Sequence, residues 1–302
     1  MSWNVTVERE LRKDVLVRAG YVGSKGTHLG YNTDINAPLP GTGATADNES
    51  QRRPNQNFVE VVEDVSGGNS IYNSLQVSME KRFSHGFTVN ANYTFAKTID
   101  QVSYLTDLCG VNVINPYNVG AYRAVADFNV PHRFVLSYLW QLPSPKEGVM
   151  KALLGGWQTS AIWNWQSGFP LTIVSSEDRG FSGLGNDLAD VSKKPTYTSG
   201  SRGDRVAKWF DTSAFASAKL GTFGNAGRNI LIGPGTFNID FSAHKLFVIR
   251  ERWRLQYRAE FFNSLNHTLL NNPNSSVIDS NFGRITGARD PRILQMALKL
   301  LF

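Results

Sequence analysis

Few stretches of this chain combine residue types that could do chemistry. "DFNVPHRF" sets Asp127, His132 and Arg133 close together, and an Asp beside a His can orient a general base. No nucleophile accompanies them, and the segment runs directly into a strand pattern, so they read as an ion pair or hydrogen bond at the foot of a loop. The five histidines, His28, His85, His132, His244 and His267, stand apart without metal-ligand spacing. "GTFGNAGRN" at 221–229 is glycine-rich, but no strand-then-helix context surrounds it and it lacks the Lys of a phosphate loop. It reads as a series of tight turns, where Gly supplies positive φ. The single cysteine, Cys109, excludes an internal disulfide and a multi-cysteine zinc site. The residues therefore point to no catalytic, cofactor or metal site, and to a protein that is not an enzyme.

Aromatic residues are the other candidates. Trp157, Trp163 and Trp165 share parity in one segment, while Trp140 and Trp253 fall on the apolar rows of two others. That placement suits an aromatic girdle at a membrane interface, with sugar stacking as the alternative. Trp209, Phe210, Phe215 and Phe223 lie in a link too long to be a mere connector, where they would cap the fold or touch a substrate.

The elements that must position these residues follow period two. In "YNSLQVSMEKRF", Leu75, Val77 and Met79 alternate with Gln76, Ser78 and Glu80; in "FTVNANYTFAKT", Phe87, Val89, Ala91, Tyr93 and Phe95 alternate with Thr88, Asn90, Asn92 and Thr94. "FNIDFSAHKLF" and "RWRLQYRAEFFN" behave alike, and β-branched and aromatic residues favour strands in all four. The closing "RILQMALKLLF" splits into Leu294, Met296, Leu298, Leu300 and Phe302 against Ile293, Gln295, Ala297, Lys299 and Leu301, although its composition would also suit a helix.

Nine strands are expected, near 3–9, 14–23, 70–82, 87–98, 132–142, 156–167, 237–247, 252–263 and 292–302. Most have the length that crosses a bilayer at a tilt. Short links alternate with long ones at 24–69, 99–131, 168–236 and 264–291. Tight turns on one side and long loops on the other are the habit of an outer-membrane barrel, with polar rows lining a watery lumen. The 302 residues, 41% apolar, can bury a core; the net charge of +6 is scattered and gives no nucleic-acid stripe. No apolar run approaches about 18 residues, so no transmembrane helix is expected, and no signal peptide is visible at the start.

"YVGSKGTHL" (21–29), "ADFNVPHRFVLSY" (126–138), "GGWQTSAIWNWQSGFPLTI" (155–173), "WFDTSAFA" (209–216), "GTFGNAGRNILIGPGTFNIDFSAHKLF" (221–247), "RAEFFNSLNHTLLNNPN" (258–274) and "FGRITGARDPRILQMALKLLF" (282–302) stand in the order found in one family. Together they resemble the barrel of TonB-dependent outer-membrane receptors of the Oar-like (OmpA-related) branch. The resemblance implies a barrel of about 22 strands around a plug, importing a scarce substrate with energy passed on by TonB. Where that family often has a basic residue after "GRNIL", this chain has Ile232, which weakens any ligand role of that loop.

An odd strand count does not close an antiparallel barrel. The expectation is therefore an all-β, antiparallel transmembrane barrel segment with long extracellular loops, residues 1–302 being the C-terminal part of a receptor barrel without its plug and N-terminal extension. Expected partners are outer-membrane lipid, the barrel-assembly machinery, TonB through a plug region outside this sequence, and a small, glycan or peptide substrate, but no nucleic acid. The rival reading is a secreted or surface β-rich glycan-binding module. Two details complete the expectation. In the hairpin 237–263, Leu246 should face Arg252, which sets Asp240 opposite Arg258 as a lumen pair. The resemblance further implies that Phe302, with Leu300 and Leu298, forms the strand that assembly machinery reads.

Burying one terminal aromatic contributes only about 1.5–3 kcal/mol. Deleting Phe302 is thus expected to reduce the amount of receptor inserted into the membrane well before it lowers the melting temperature of what does insert. Quantitative membrane fractionation checks this, and unchanged insertion contradicts it.

Overall fold

The computed structural model describes residues 1–103, 113–145, 147–185, 187–250 and 253–302; Cys109 and Arg252 lie outside the described residues. Nine long strands form one antiparallel meander: β1 (Ser2–Arg12), β2 (Val15–Asp34), β3 (Val62–Ser84), β4 (Phe87–Asp100), β5 (His132–Gln141), β6 (Trp157–Gln166), β7 (Thr236–Arg250), β8 (Trp253–Phe262) and β9 (Ile293–Leu301). Each pairs with its neighbour in sequence, and β1 and β9 are the two edges. The sheet is not closed upon itself. No helix among the described residues is long and apolar enough to cross a membrane.

All the long links leave from one end of the sheet and all the short ones from the other. Two strands run well past the sequence expectation. β2 and β3 stay paired as far as Asp34 and Val62, so much of the expected 24–69 link is a hairpin arm. The reason lies in "GSKGTHL" and "SGGNS": above a membrane both faces of a strand meet water, and no apolar row is needed to announce it. The arm kinks where the register shifts around Thr27, Leu29 and Gly30, and His28 there takes a φ of 56°.

Register carries one face through the whole sheet. Val7, Ala19, Val77 and Tyr93 follow one another in cross-strand pairs, as do Leu136, Trp163, Ile239 along their strands and Phe241, Phe261, Leu294 on the far side. The opposite row runs through Glu8, Arg18, Ser78, Asn92 and, further on, Asn164, Asn238, Ser242, Glu260 and Gln295. The apolar face is bare: Met296 and Leu298 are 65% and 69% exposed in the isolated chain. So large an apolar surface needs a non-aqueous cover. Where a polar side chain does join this row it is satisfied locally, as when the Tyr21 hydroxyl donates to Asn73 at 2.6 Å.

The β7–β8 hairpin keeps the expected parity but corrects the register. Ser242 faces Glu260, His244 faces Arg258 and Leu246 faces Gln256, up to Arg250 opposite Trp253. The ladder runs on beyond Leu246, through a register shift between Val248 and Arg250, to Arg250 opposite Trp253, so the arms stay paired past the five-residue turn expected. The Asp240–Arg258 pair is therefore not formed. Asp240 lies at the end of the ladder, where its carboxylate accepts the Asn263 backbone N–H at 2.8 Å and the Asn238 amide at 2.9 Å. Arg258 stands 3.6 Å from Glu260 on its own strand, half exposed and hence of little energetic consequence.

Arg254 and Arg258 both belong to the polar row. An Arg on the apolar row at mid-height should cost about 2–4 kcal/mol, against nearly nothing on the polar row. Met296→Arg is accordingly expected to lower the unfolding free energy of the membrane-embedded receptor, measured by urea titration, by that amount, and Gln256→Arg to leave it within about 0.5 kcal/mol. Equal effects of the two would overturn the assignment of faces.

Candidate functional site: the polar face and its loop cap

The polar row contains a hollow of about 210 Å³ lined by Thr6, Arg18, Gln76, Ser78, Asn92 and Thr94. Its side chains bond mainly to one another. Arg18 pairs with Glu8 at 2.6 Å, and further along the sheet the Ser160 and Ser242 hydroxyls meet at 3.0 Å. This surface offers neutral donors and acceptors interspersed with charges such as Arg133, Arg254 and Lys299, which suits contact with water.

Above it the long links fold together as a soluble protein would. Leu171, Ile173, Phe210, Phe215, Ala226 and Leu231 form a buried core, drawn from one link, against which Val277 and Phe282 of the next link pack. Phe210, Phe215 and Phe282 meet edge to face, with ring centroids 5.4–6.3 Å apart. Two-residue ladders, Leu231–Ile232 with Pro170–Leu171 and Phe215–Ala216 with Asp190–Val191, stitch the segment to itself. The aromatic residues proposed from sequence to cap the fold or touch substrate thus divide. Phe210, Phe215 and Phe223 are buried in the cap. Trp209 is half-buried, and its indole N–H is committed to the Ile232 carbonyl at 2.8 Å.

Two arginines anchor this cap. Arg228 extends from the glycine-rich turn to Asp100, the last residue of β4, at 2.7 Å and to the Ser103 hydroxyl at 3.0 Å. It also donates to the Gln101 and Tyr122 carbonyls and stands 3.4 Å from Asp127. Asn229, at φ 57°, holds the Val125 carbonyl and the Asp127 carboxylate. Arg53 pairs with the fully buried Asp34 at 3.0 Å and with Glu49 at 2.7 Å. Its neighbour Arg52 donates to the Phe181 carbonyl at 2.6 Å, which ties the first long link to the third. Neither anchor was singled out from the sequence; the arginine of "AGRN" was passed over as part of a turn.

Asp187 completes the interior. It is buried, one carboxylate oxygen accepts the Gly180 N–H at 2.6 Å, and the other has no partner among the described residues. Burial, with Asp178 adding to it, pushes its pKa up to about 6.

The cluster read from "DFNVPHRF" is dispersed. Asp127 serves the Arg228 anchor, the His132 ring meets the Tyr93 hydroxyl at 2.8 Å on the apolar face, and Arg133 lies on the polar row opposite Thr94. Among the described residues no group of three or more metal-ligating side chains stands together. The tryptophans fall at two heights of the apolar face. Trp140, Trp157 and Trp253 stand toward the short turns, Trp253 against the Phe302 ring at 5.6 Å; Trp165, with Trp163 one pleat below, stands toward the loops beside His132. Eight residues separate Trp157 from Trp165, or about 27 Å of strand, which at a 35–45° tilt spans about 20 Å of height.

Comparison with known proteins agrees with this geometry. Among solved structures, the outer membrane transporter YddB from Escherichia coli aligns with a TM-score of 0.53 at 12% identity, over 99% of this chain and 32% of that one. The FpvAI–pyocin S2 complex and the ferric citrate transporter FecA align with TM-scores of 0.48 and 0.42 at 9% and 12% identity, over 98% and 99% of this chain and 26% and 30% of theirs. The chain spans between about a quarter and a third of the length of these proteins. No curated protein sequence matches it. Residues 1–295 match the outer membrane beta barrel domain family, and with an apolar face, a polar face and loops gathered at one end, the chain belongs to that family and to the Gram-negative outer membrane.

Proposed function

We propose that this chain is the C-terminal part of the barrel of a TonB-dependent receptor of the Oar-like branch, which takes up a scarce solute with its loop cap and passes it along the polar face. The observation that carries this reading is the cap itself: a folded, charge-anchored loop assembly at the loop end of a sheet that has a continuous polar face. A barrel that served only as an anchor would have no use for a cored cap. The two unpaired edges of the sheet support the wider barrel, since further strands would satisfy them. In this reading the plug and the TonB contact belong to the rest of the receptor, the tryptophans form the two interfacial girdles, and Leu298, Leu300 and Phe302 present the terminal strand to the assembly machinery.

The test is nutritional. Deleting the gene is expected to slow growth when one particular solute limits, whether iron chelate, cobalamin, glycan or peptide, and inactivating TonB in the same strain should add nothing for that solute. Growth unaffected on every limiting solute, or a defect that deepens when TonB is lost, would refute the proposal. Arg228→Ala then tests the cap. It strands the buried carboxylate of Asp100 at a local cost of about 3–5 kcal/mol, so uptake should fall severalfold while the amount of receptor in the membrane stays unchanged. Normal uptake by this variant would show that the cap is not the capture site.

A further inference from the structure

One link at the short-turn end is out of proportion. β1 passes to β2 through residues 13–14 and β3 to β4 through 85–86, whereas β5 and β6 are joined by residues 142–156, which include the helix Gly148–Leu154. A tight turn would close the same pair of strands, so the extra chain calls for a use of its own. At about 100° per residue, Val149, Met150, Leu153 and Leu154 fall within an arc of about 140°, and Lys151 lies outside it. The four apolar side chains are bare, between 50% and 75% exposed. A helix this short does not hold in water by propensity alone, and its apolar arc needs something to pack into.

The helix is moored to the apolar side of the sheet. In its last turn the Leu153 carbonyl accepts the Lys245 ammonium at 2.8 Å and the Trp157 indole N–H at 3.0 Å. Both donors belong to the apolar row, where Lys245 faces Trp157 of β6 and Tyr257 of β8. Lys245 is buried, with its ammonium 5.6 Å from the centre of the Trp157 ring and 4.8 Å from that of Phe247. A cation on this row is thus masked by aromatic faces and by the negative end of the helix. Beyond it, Phe247 and Ile249 continue the row and are exposed, past a hollow of about 430 Å³ that Lys151 and Ser144 border from the helix side. The bare arc is therefore continuous with the sheet face that meets hydrocarbon, at the end where Trp140, Trp157 and Trp253 stand.

We propose that the helix Gly148–Leu154 is an interfacial foot, with Val149, Met150, Leu153 and Leu154 inserted among the acyl chains of the periplasmic leaflet and Lys151 at its headgroups. The occupant follows from that continuity. Short turns of such a barrel lie at the periplasmic surface, and an apolar arc joined to the lipid-facing row at this level meets phospholipid before it meets any protein. The foot fixes how deep this side of the sheet sits in the bilayer, at the end opposite the loop cap.

The test uses the whole receptor freed of its native cysteines, with Met150→Cys, Lys151→Cys or Met296→Cys introduced singly and labelled with a fluorophore. Each is placed in nanodiscs of phosphatidylethanolamine and phosphatidylglycerol, where quenching by lipids with brominated acyl chains is compared with quenching by aqueous iodide. Met296 marks the lipid-facing sheet. Brominated lipid is expected to quench the label at 150 at least about threefold more than the label at 151, and iodide to give the reverse order. Iodide reaching 150 and 151 alike places the helix in water and overturns the proposal. A label at 150 shielded from both quenchers overturns it too, because protein then covers the arc. Either result with the label at 296 still quenched by brominated lipid leaves the assignment of the sheet faces standing, whereas a label at 296 that brominated lipid does not reach removes that assignment and the proposal together.

Discussion

Inside hydrocarbon a backbone N–H or C=O without a partner costs several kcal/mol, and water is not there to supply one. That single constraint organises the sheet. It forces each strand into a full ladder with its neighbours, and a ladder fixes side chains to alternate faces. Once one strand commits Leu75, Val77 and Met79 to lipid, its partners Tyr93, Ala91 and Phe95 are committed with them, and the assignment passes strand by strand as far as Leu298. A slip by one residue at any ladder would expose an entire polar row to lipid. The faces are therefore a cooperative property of the sheet, and no individual side chain decides them.

Above the membrane the constraint is relaxed, and a different balance takes over. Water satisfies the backbone of a loop, so the links are free to be irregular, and what orders them is burial of Phe210, Phe215 and Phe282 together with two desolvated charge pairs. Such pairs contribute little net stability, since the cost of stripping water from two ions offsets most of their attraction. Their worth is geometric. An Arg with five donors can be satisfied only where several acceptors converge, and Arg228 finds them in Asp100, Ser103 and the Gln101 and Tyr122 carbonyls. A cap misplaced by a few ångströms would leave Asp100 buried and unpaired. The pair thus selects one seating over others more than it deepens the well.

What could be read from the sequence follows the same division. Period-two rows are local, and every long strand was legible from them, as was the sorting of links by length. The excess length of the β2–β3 arm was not, because beyond the bilayer neither face of a strand must be apolar. The β7–β8 register was half legible: parity follows from matching faces, but the choice among even registers depends on where the arms turn, and they stay paired as far as Arg250 opposite Trp253. The cap anchors were illegible for another reason. Arg228 and Asp100 are separated by 128 positions, and nothing about "AGRN" or "TID" by itself distinguishes a buried partner from a solvated charge. Trp209 and Phe210 show the limit most clearly. They are adjacent aromatics in the same link, yet one is half-buried and the other wholly enclosed, a difference that only the packed core creates.

The placement of the anchors bears on how the cap and the barrel act on one another. Asp100 ends β4, and beyond it the chain leaves the ladder for the second long link. Lower on the strand the same pair would stand on the polar face of the sheet, away from the links it joins; several residues higher it would grip only loop. At the strand's end it joins the cap to the last residue whose position the ladder still dictates. The cap can then shift as a unit only by pulling on the end of β4, and the ladder, whose hydrogen bonds cannot be exchanged for water within the bilayer, resists that pull. Any movement of the cap would therefore arise among its own contacts, such as those around the buried Asp187, while the sheet beneath stays in place.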